Sequence, residues 1–200
     1  MATLEGQTIA GSYKDLLQVS NSNAGVDATA RAVSDGEGTA TLLYVSTTEV
    51  YSPGKAGTSN TVFGKNAGAS LDAGSNYNVF IGENVSDATM NDAIWNVGVG
   101  YAALSSLTTG DRNTAVGYQA LTTCSTGEEN VAIGRGSLDA AVSASYNIAI
   151  GTNALGTVDD GETFNIAIGY DAMGNSNHPD IDSNIAIGGY ALDAIGVNAQ

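Results

Sequence analysis

One five-residue string recurs eight times along the second part of this 200-residue chain. It consists of Asn, two variable residues, an Ile, Val or Phe, and Gly, and successive copies begin 17 to 19 residues apart. The copies begin at Asn60, Asn78, Asn96, Asn113, Asn130, Asn147, Asn165 and Asn184. A period of this kind is typical of chains that stack one small structural unit per repeat, so that each unit contacts only its neighbours.

Apolar residues alternate within the string. The second position is β-branched in every copy and the fourth is apolar, whereas the third is Ala in five copies. Because side chains alternate across a strand, this pattern predicts a three-residue strand per repeat, with a β-branched face and a small face. The fixed Gly predicts a sharp turn with positive φ, or a site without room for a Cβ atom.

A second recurring stretch follows the Gly in most repeats. Its Leu or Met is expected to fill the interior of the coil (Leu104, Leu121, Leu138, Leu155, Met173, Leu192). The next 8 to 10 residues are polar and are predicted to be surface turns. The sequence therefore predicts an all-β domain over residues 56–200, a parallel β-roll of eight coils with two short strands per coil.

Oligomerisation is expected from the size of one coil. Each coil holds few apolar side chains, whereas ordering each residue costs roughly 1–2 kcal/mol of backbone entropy. We expect the small face to be exposed in a single chain and to pack around a three-fold axis. The residues predicted to line this axis of a homotrimer are Ala115, Ala132, Ala149, Ala167 and Ala186.

The strings at residues 113–121, 130–134, 147–155 and 165–173 resemble the head repeats of trimeric autotransporter adhesins, and the resemblance extends over residues 60–192. It implies a trimeric, left-handed parallel β-roll that binds surfaces. No secretion signal, coiled-coil stalk or membrane anchor is recognisable in the sequence, so display on a bacterial surface is not expected.

Residues 1–55 have a different character. The segments 13–20, 28–38 and 42–46 resemble modules of tail fibres and other structural proteins of tailed bacteriophages. The resemblance implies an N-terminal attachment or capping module that binds other virion proteins. The residues themselves predict three strands with turns at 21–25 and 34–38, where Asp35 and Gly36 favour a tight turn.

Charge and rare residues narrow the function. Six Lys and Arg against 21 Asp and Glu give a net charge of −15, which argues against nucleic acid or an anionic membrane as partner. The single cysteine, Cys124, is expected to be a free small residue in a turn, and the single histidine, His178, an exposed turn residue. We predict no catalytic residues, no metal site and no cofactor.

Two acidic groups, at residues 159–162 and at Asp180 and Asp182, leave three interpretations open: solvated turns, a weak cation site, or a carboxylate pair that hydrolyses glycans. The stretch 98–103 imitates a dinucleotide-binding fingerprint, but no βαβ unit follows it. We therefore interpret that match as coincidence.

Aromatic residues recur at similar places in several repeats. Tyr101, Tyr118, Tyr170, Tyr190 and Trp95 are candidate surface contacts for a sugar or a partner protein. Packing between coils or chains is the alternative for the tyrosines, and core packing is the alternative for Trp95. The repeated Asn is expected to form a ladder of side-chain amides along the stack.

The sequence thus favours a non-enzymatic virion protein of a tailed phage, a short trimeric fibre or spike that contacts host glycans or a receptor. A trimeric capsid decoration protein is the alternative, and a glycan depolymerase is the third hypothesis. Eight coils stacked about 4.7–4.9 Å apart span only on the order of 40 Å.

Overall fold

A computed structural model describes residues 18–19, 31–34, 40–45, 50–51, 57, 59–140, 142–157, 161–176 and 181–193. The chain divides into two units, residues 1–54 and residues 55–200. In the first unit, β1 (Gln18–Val19), β2 (Arg31–Ser34), β3 (Ala40–Val45) and β4 (Val50–Tyr51) form an antiparallel sheet in chain order. The first three strands overlap the predicted segments, whereas β4 was not predicted. The residues predicted to turn at 21–25 and 35–38 lie outside the described residues.

The second unit is a parallel β-solenoid. Its strands each hold three residues and pair in chain order, with equivalent positions of the repeat in register. They are β5 (Thr61–Phe63), β6 (Val79–Ile81), β7 (Val97–Val99), β8 (Thr114–Val116), β9 (Val131–Ile133), β10 (Ile148–Ile150), β11 (Ile166–Ile168) and β12 (Ile185–Ile187). We call each strand, with its preceding Asn and following Gly, a rung, numbered 1 to 8. The described residues contain no helix, which confirms the all-β prediction and the parallel coil.

Hydrogen bonds between neighbouring coils continue beyond the strands. The Leu104 N–H donates to the carbonyl of Ala120 at 3.1 Å, and the Leu121 N–H donates to the carbonyl of Ser137 at 3.0 Å. This return stretch is not a second strand, because Ala102 and Leu104 have φ values of 54° and 55°. The prediction of two strands per coil is therefore wrong for the described residues.

The interior of the coil is filled from two directions. The third position of every rung points inward and is buried, and so are Leu104, Leu121, Leu138, Leu155 and Met173 from the return stretch. Leu192, in the last coil, is 44% exposed. The return-stretch prediction is thus confirmed except at the end of the stack.

The small face lies inside the coil, which corrects the predicted trimer axis. All five alanines of that prediction are at most 2% exposed within one chain (Ala115, Ala132, Ala149, Ala167 and Ala186). They are small because the return stretch packs against them from within the same coil. The second and fourth positions, β-branched in every rung except for Phe63, point outward instead, as the alternating burial of each strand shows.

At two neighbouring inner positions the usual Ala is replaced, once by a larger and once by a smaller residue. Phe80 of rung 2 is fully buried and pairs in register with Gly98 of rung 3. A Cβ atom on Gly98 would lie 2.6 Å from Val85 Cγ1 and 3.3 Å from Phe80 Cδ1. Gly98 therefore makes room for its larger neighbours, which explains the accidental fingerprint at residues 98–103.

Both predicted reasons for the Gly that ends each rung, a positive φ and a lack of room for a Cβ atom, are found in the structure. In all eight rungs its φ lies between 127° and 143°, a region that side chains strongly disfavour. In the first seven rungs, a Cβ atom would also lie 2.1 to 2.4 Å from the carbonyl oxygen of the equivalent Gly in the next rung. The turn and the close approach of two backbones act at the same residue.

The predicted Asn ladder is confirmed. The N–H of Asn147 donates to Asn130 Oδ1 at 3.0 Å, while Asn130 Nδ2 donates to the carbonyl of Ala144 at 2.7 Å and to Asn113 Oδ1 at 3.0 Å. In every coil after that of Asn60, up to Asn184, the backbone N–H of the Asn donates to the side-chain oxygen of the Asn before it. Because the inner asparagines are buried, each amide satisfies backbone groups that water does not reach.

The polar stretch between coils is only partly a surface turn. Leu71, Met90, Leu107 and Cys124 come seven or eight residues after the Gly of their coils, and all four are buried. Cys124 is a free thiol, as predicted, but it belongs to the core and not to an exposed turn. The sequence interpretation missed this side of the core because single apolar residues stand there among polar ones.

Candidate interaction face

The outward side of the eight rungs is an apolar strip without charge. We call the second and fourth positions of all rungs the outward face (Thr61, Phe63, Val79, Ile81, Val97, Val99, Thr114, Val116, Val131, Ile133, Ile148, Ile150, Ile166, Ile168, Ile185, Ile187). Every one of them is half-buried or exposed. Exposure reaches 39% at Ile133 in the middle of the stack and 68% at Ile187 at its end. These side chains stand beside one another because the strands pair in register.

A column of residues lies at the start of the rungs, immediately before each Asn. This leading column consists of Ser59, Tyr77, Trp95, Arg112, Glu129, Tyr146, Phe164 and Ser183, all of them exposed. The rings of Tyr77 and Trp95 stack with centroids 6.2 Å apart, and those of Tyr146 and Phe164 stack at 5.1 Å. The Arg112 guanidinium lies 5.3 Å from the ring centroid of Trp95, a cation–π contact.

A second column lies at the end of the rungs, immediately after each Gly. This trailing column consists of Lys65, Glu83, Tyr101, Tyr118, Arg135, Thr152, Tyr170 and Gly189. The rings of Tyr101 and Tyr118 stack at 5.3 Å, and Tyr170 contacts the ring of Tyr190 edge-on at the same centroid distance. Asp171 and Tyr190 beside it raise the pKa of the exposed Tyr170 hydroxyl, Asp171 most strongly.

The candidate contact residues from the sequence all lie on the surface. Tyr101, Tyr118, Tyr170, Tyr190 and Trp95 are between 43% and 61% exposed. The alternative of core packing for Trp95 is therefore wrong. Sequence reasoning missed Tyr77, Tyr146 and Phe164, although their place directly before the repeated Asn is a signal that aligning the repeats would have shown.

The two columns also hold the basic residues described in the solenoid. Lys65 Nζ lies 2.9 Å from Glu83 Oε1 in the neighbouring rung. Arg112 lies 3.6 Å from Glu128 and 3.8 Å from Glu129. Arg135 makes no ion pair with a carboxylate of the described residues. These contacts are exposed, so each contributes little to the stability of a single chain.

The acidic groups of the sequence are only partly described. Residues 159, 160, 178 and 180 lie outside the described residues, so the predictions for Asp159, Asp160, His178 and Asp180 stay predictions. Glu162 is buried, and Asp182 accepts hydrogen bonds from the N–H and the hydroxyl of Thr163 at 2.6 and 3.1 Å. This arrangement joins one coil to the next.

An open groove elsewhere on the solenoid is lined by polar residues and glycines: Asp139, Asn153, Gly156, Thr157, Asp171, Gly174, Asn175 and Asp193. Partial burial raises the pKa of the Asp139 carboxyl, and Arg135 opposes that change. Within the described residues, no group of three or more His, Cys, Asp or Glu side chains is placed to hold a metal ion. The buried thiol of Cys124 has a pKa raised to about 11 by burial, so it stays protonated near neutral pH.

The search for membrane spans found no sufficiently long and apolar helix among the described residues. Comparisons with protein-family models, with curated proteins and with solved structures found no match to this chain.

Proposed function

We propose that this chain is a non-enzymatic structural protein of a tailed-phage virion, in which three copies pack their outward faces together into a short spike. The observation that carries the proposal is the outward face, a continuous, uncharged strip on a chain with a net charge of −15. Contiguous apolar patches larger than a few hundred Å² on soluble proteins mark interaction sites.

The size of this surface fits an interface between chains. Eight strands about 4.8 Å apart span roughly 34 Å, and a rung with its leading and trailing residues is about 20 Å wide. The outward face together with the leading and trailing columns therefore measures about 700 Å², close to the roughly 800 Å² that each partner contributes to an interface of standard size. Burial of the Ile and Val side chains would add apolar contact to the narrow core that each coil already has.

Three copies are favoured by the resemblance of the repeat strings to the heads of trimeric adhesins. In the proposed trimer the outward-pointing second and fourth positions, and not the alanines, face the three-fold axis. Acidic side chains such as Asp92 and Asp182 are exposed and stand outside the outward face. There they would keep the assembled particle soluble.

The aromatic pairs support packing between chains more than sugar binding. In each stacked pair one face of each ring is covered by the other ring, which leaves less free ring face for stacking on a sugar. The edges that remain accessible suit contact with neighbouring protein.

A capsid decoration protein is the second candidate, and the short stack favours it. A projection of roughly 34 Å reaches little beyond a virion surface, whereas a fibre that extends toward a host has to be longer or carried by other proteins. The trimer would be the same in both roles. The difference lies in what residues 1–55 bind.

Three measurements test the proposal and its alternatives. Light scattering on the purified protein is expected to give the mass of three chains, and a single-chain mass would contradict the assembly. Electron microscopy of labelled particles then separates a tail appendage from capsid decoration by the position of the label. A release assay on host polysaccharide addresses the remaining hypothesis, since detectable cleavage would contradict a purely structural role.

A further inference from the structure

We infer that Glu129 of one copy pairs with Arg135 of the next copy, and that this contact fixes the register in which the chains assemble. The inference rests on the proposed assembly through the outward face. Glu129 is the leading residue of rung 5 and Arg135 is its trailing residue. They stand at opposite ends of one rung, about 20 Å apart, and therefore do not pair within a chain.

The geometry of a parallel assembly brings the two columns together. When copies are related by rotation about an axis along the stack, the leading column of each copy lies beside the trailing column of its neighbour, at the same rung. Rung 5 is the one whose two column residues carry opposite charges. Its Arg135 makes no ion pair within 4.0 Å of a carboxylate among the described residues of its own chain, although its charge acts on Asp139.

The neighbouring rungs fit the same register. Trp95 would lie beside Tyr101 at rung 3, and Phe164 beside Tyr170 at rung 7, which are aromatic pairs. At rung 4 the Arg112 guanidinium would face Tyr118. No rung places like charges together in this register.

Slipping by one rung in either direction loses the pairing of Glu129 with Arg135. In one direction Arg112 comes beside Arg135, which places two positive charges together, and Glu129 comes beside Thr152. In the other direction Trp95 faces Glu83, and Glu129 faces Tyr118. Either slip loses the ion pair, and the first adds repulsion, so the outward face supplies affinity while rung 5 selects the register.

Disulfide cross-linking between chains tests the register directly. A chain with Glu129→Cys and a differently tagged chain with Arg135→Cys are co-expressed, purified together and oxidised. A covalent heterodimer is expected as the main product, since the two Cα atoms would come within the roughly 7 Å that a disulfide spans. Cys124 does not compete, because it is buried and its pKa is about 11.

The matched control replaces Glu129→Cys with Phe164→Cys, which lies in the same column two rungs away. That shift of about 10 Å exceeds the reach of a disulfide, so at least about ten times less heterodimer is expected. Equal yields from both mixtures would overturn the register. Absence of cross-linking in a protein that still has the mass of three chains would overturn the inference and leave the proposed function intact.

Charge exchange tests whether the contact is attractive. Glu129→Arg and Arg135→Glu are each expected to lower the assembled fraction, and the double exchange is expected to restore it. Restoration cannot come from the contact of Arg112 with Glu129 within one chain, because the double exchange removes that contact too. A double variant no better assembled than the single variants would contradict the ion pair, and single-chain wild-type protein would overturn both proposals.

Discussion

At the scale of single residues, the solenoid depends on positions where the backbone leaves no room for a side chain. Gly134 combines a φ of 137° with a carbonyl oxygen of the next rung 2.4 Å from where its Cβ atom would stand. Gly188, at the last rung, has a similar φ of 127°, but nothing nearer than 4.0 Å surrounds its Cβ position. Comparing substitutions at Gly134 and Gly188 therefore separates the free-energy cost of a positive φ from the cost of a steric clash with the next rung.

We expect Gly134→Ala to destabilise the solenoid far more than Gly188→Ala. Gly188→Ala adds only backbone strain, about 1–3 kcal/mol. Gly134→Ala adds the conflict with Gly151 and forces neighbouring rungs apart, so its loss in free energy of unfolding exceeds that range. Thermal or urea unfolding followed by circular dichroism measures both variants. Similar losses would show that strain alone explains the repeated Gly.

Asp139 predicts a dependence of stability on pH. Burial raises the pKa of the Asp139 carboxyl in the folded chain, because folding disfavours its charged form. Asp139 therefore contributes its full stability below the unfolded pKa of about 4. That contribution declines as the pH rises above about 4. Asp139→Asn is therefore expected to stabilise the protein at pH 7, with a gain that shrinks as pH falls toward about 4 and is absent below it.

Unfolding midpoints of both proteins across that pH range measure this effect. The control is Asp92→Asn, which removes one negative charge from an exposed position and thus reports the general relief of repulsion. A gain at pH 7 equal to that of the control would contradict the role of burial at Asp139.

At the scale of structural elements, the Asn ladder joins each rung to the next. Asn130 donates to Ala144 and Asn113 and accepts from the N–H of Asn147, all within the buried stack. Asn184, at the end of the ladder, is half-buried, and its Nδ2 donates to Asn165 Oδ1 over a longer distance of 3.3 Å. The ladder should therefore contribute more in the middle of the stack than at its end.

We expect Asn130→Ala to cost about 2–5 kcal/mol, because it leaves buried backbone groups of Ala144 and Asn147 without their hydrogen bonds. Asn184→Ala, the matched change at the end of the ladder, is expected to cost less than about 1 kcal/mol. Chemical unfolding of both variants gives the two values. Equal costs would mean that the amides contribute individually and not through burial in the stack.

How far the sequence predicted this element shows where pattern reasoning ends. The period, the strand at each Asn-x-x-x-Gly string, the turn at the Gly and the ladder follow from residue types alone. Alternation distinguishes two faces of a strand, but it does not say which one is inside. The sequence predicts that the face of Ala149 is exposed in a single chain, whereas this narrow coil buries the small side chain and turns Ile150 outward.

The position of the aromatic residues was likewise only partly predictable. Tyr101 and Tyr118 share one repeat position, and their stacking follows from the rung spacing. Trp95 was ambiguous because it stands between polar and apolar residues, and only the fold shows that the residue before each Asn stays at the surface. The core positions of Leu107 and Cys124 depend on the path of the connecting loop, which the repeat does not specify.

At the scale of the whole molecule, folding of the coil and the proposed assembly of the chains involve opposite faces of the same strand. Ala149 is fully buried in the interior, whereas its neighbour Ile150 lies on the outward face. A change at each residue should therefore affect a different property. This separation lets one pair of variants distinguish a folded single chain from a disrupted solenoid.

We expect Ile150→Asp to abolish assembly while the coil stays folded, because it places a charge on the surface that the proposed trimer buries. Ala149→Phe is expected to unfold the coil itself, since the return stretch packed inside leaves no space for a ring. Light scattering and circular dichroism on the same samples separate these results: single chains with the wild-type spectrum for Ile150→Asp, and a lost β spectrum for Ala149→Phe. A fully assembled Ile150→Asp protein would show that the outward face is not the interface, since a carboxylate buried there without a partner would cost more than the contact supplies.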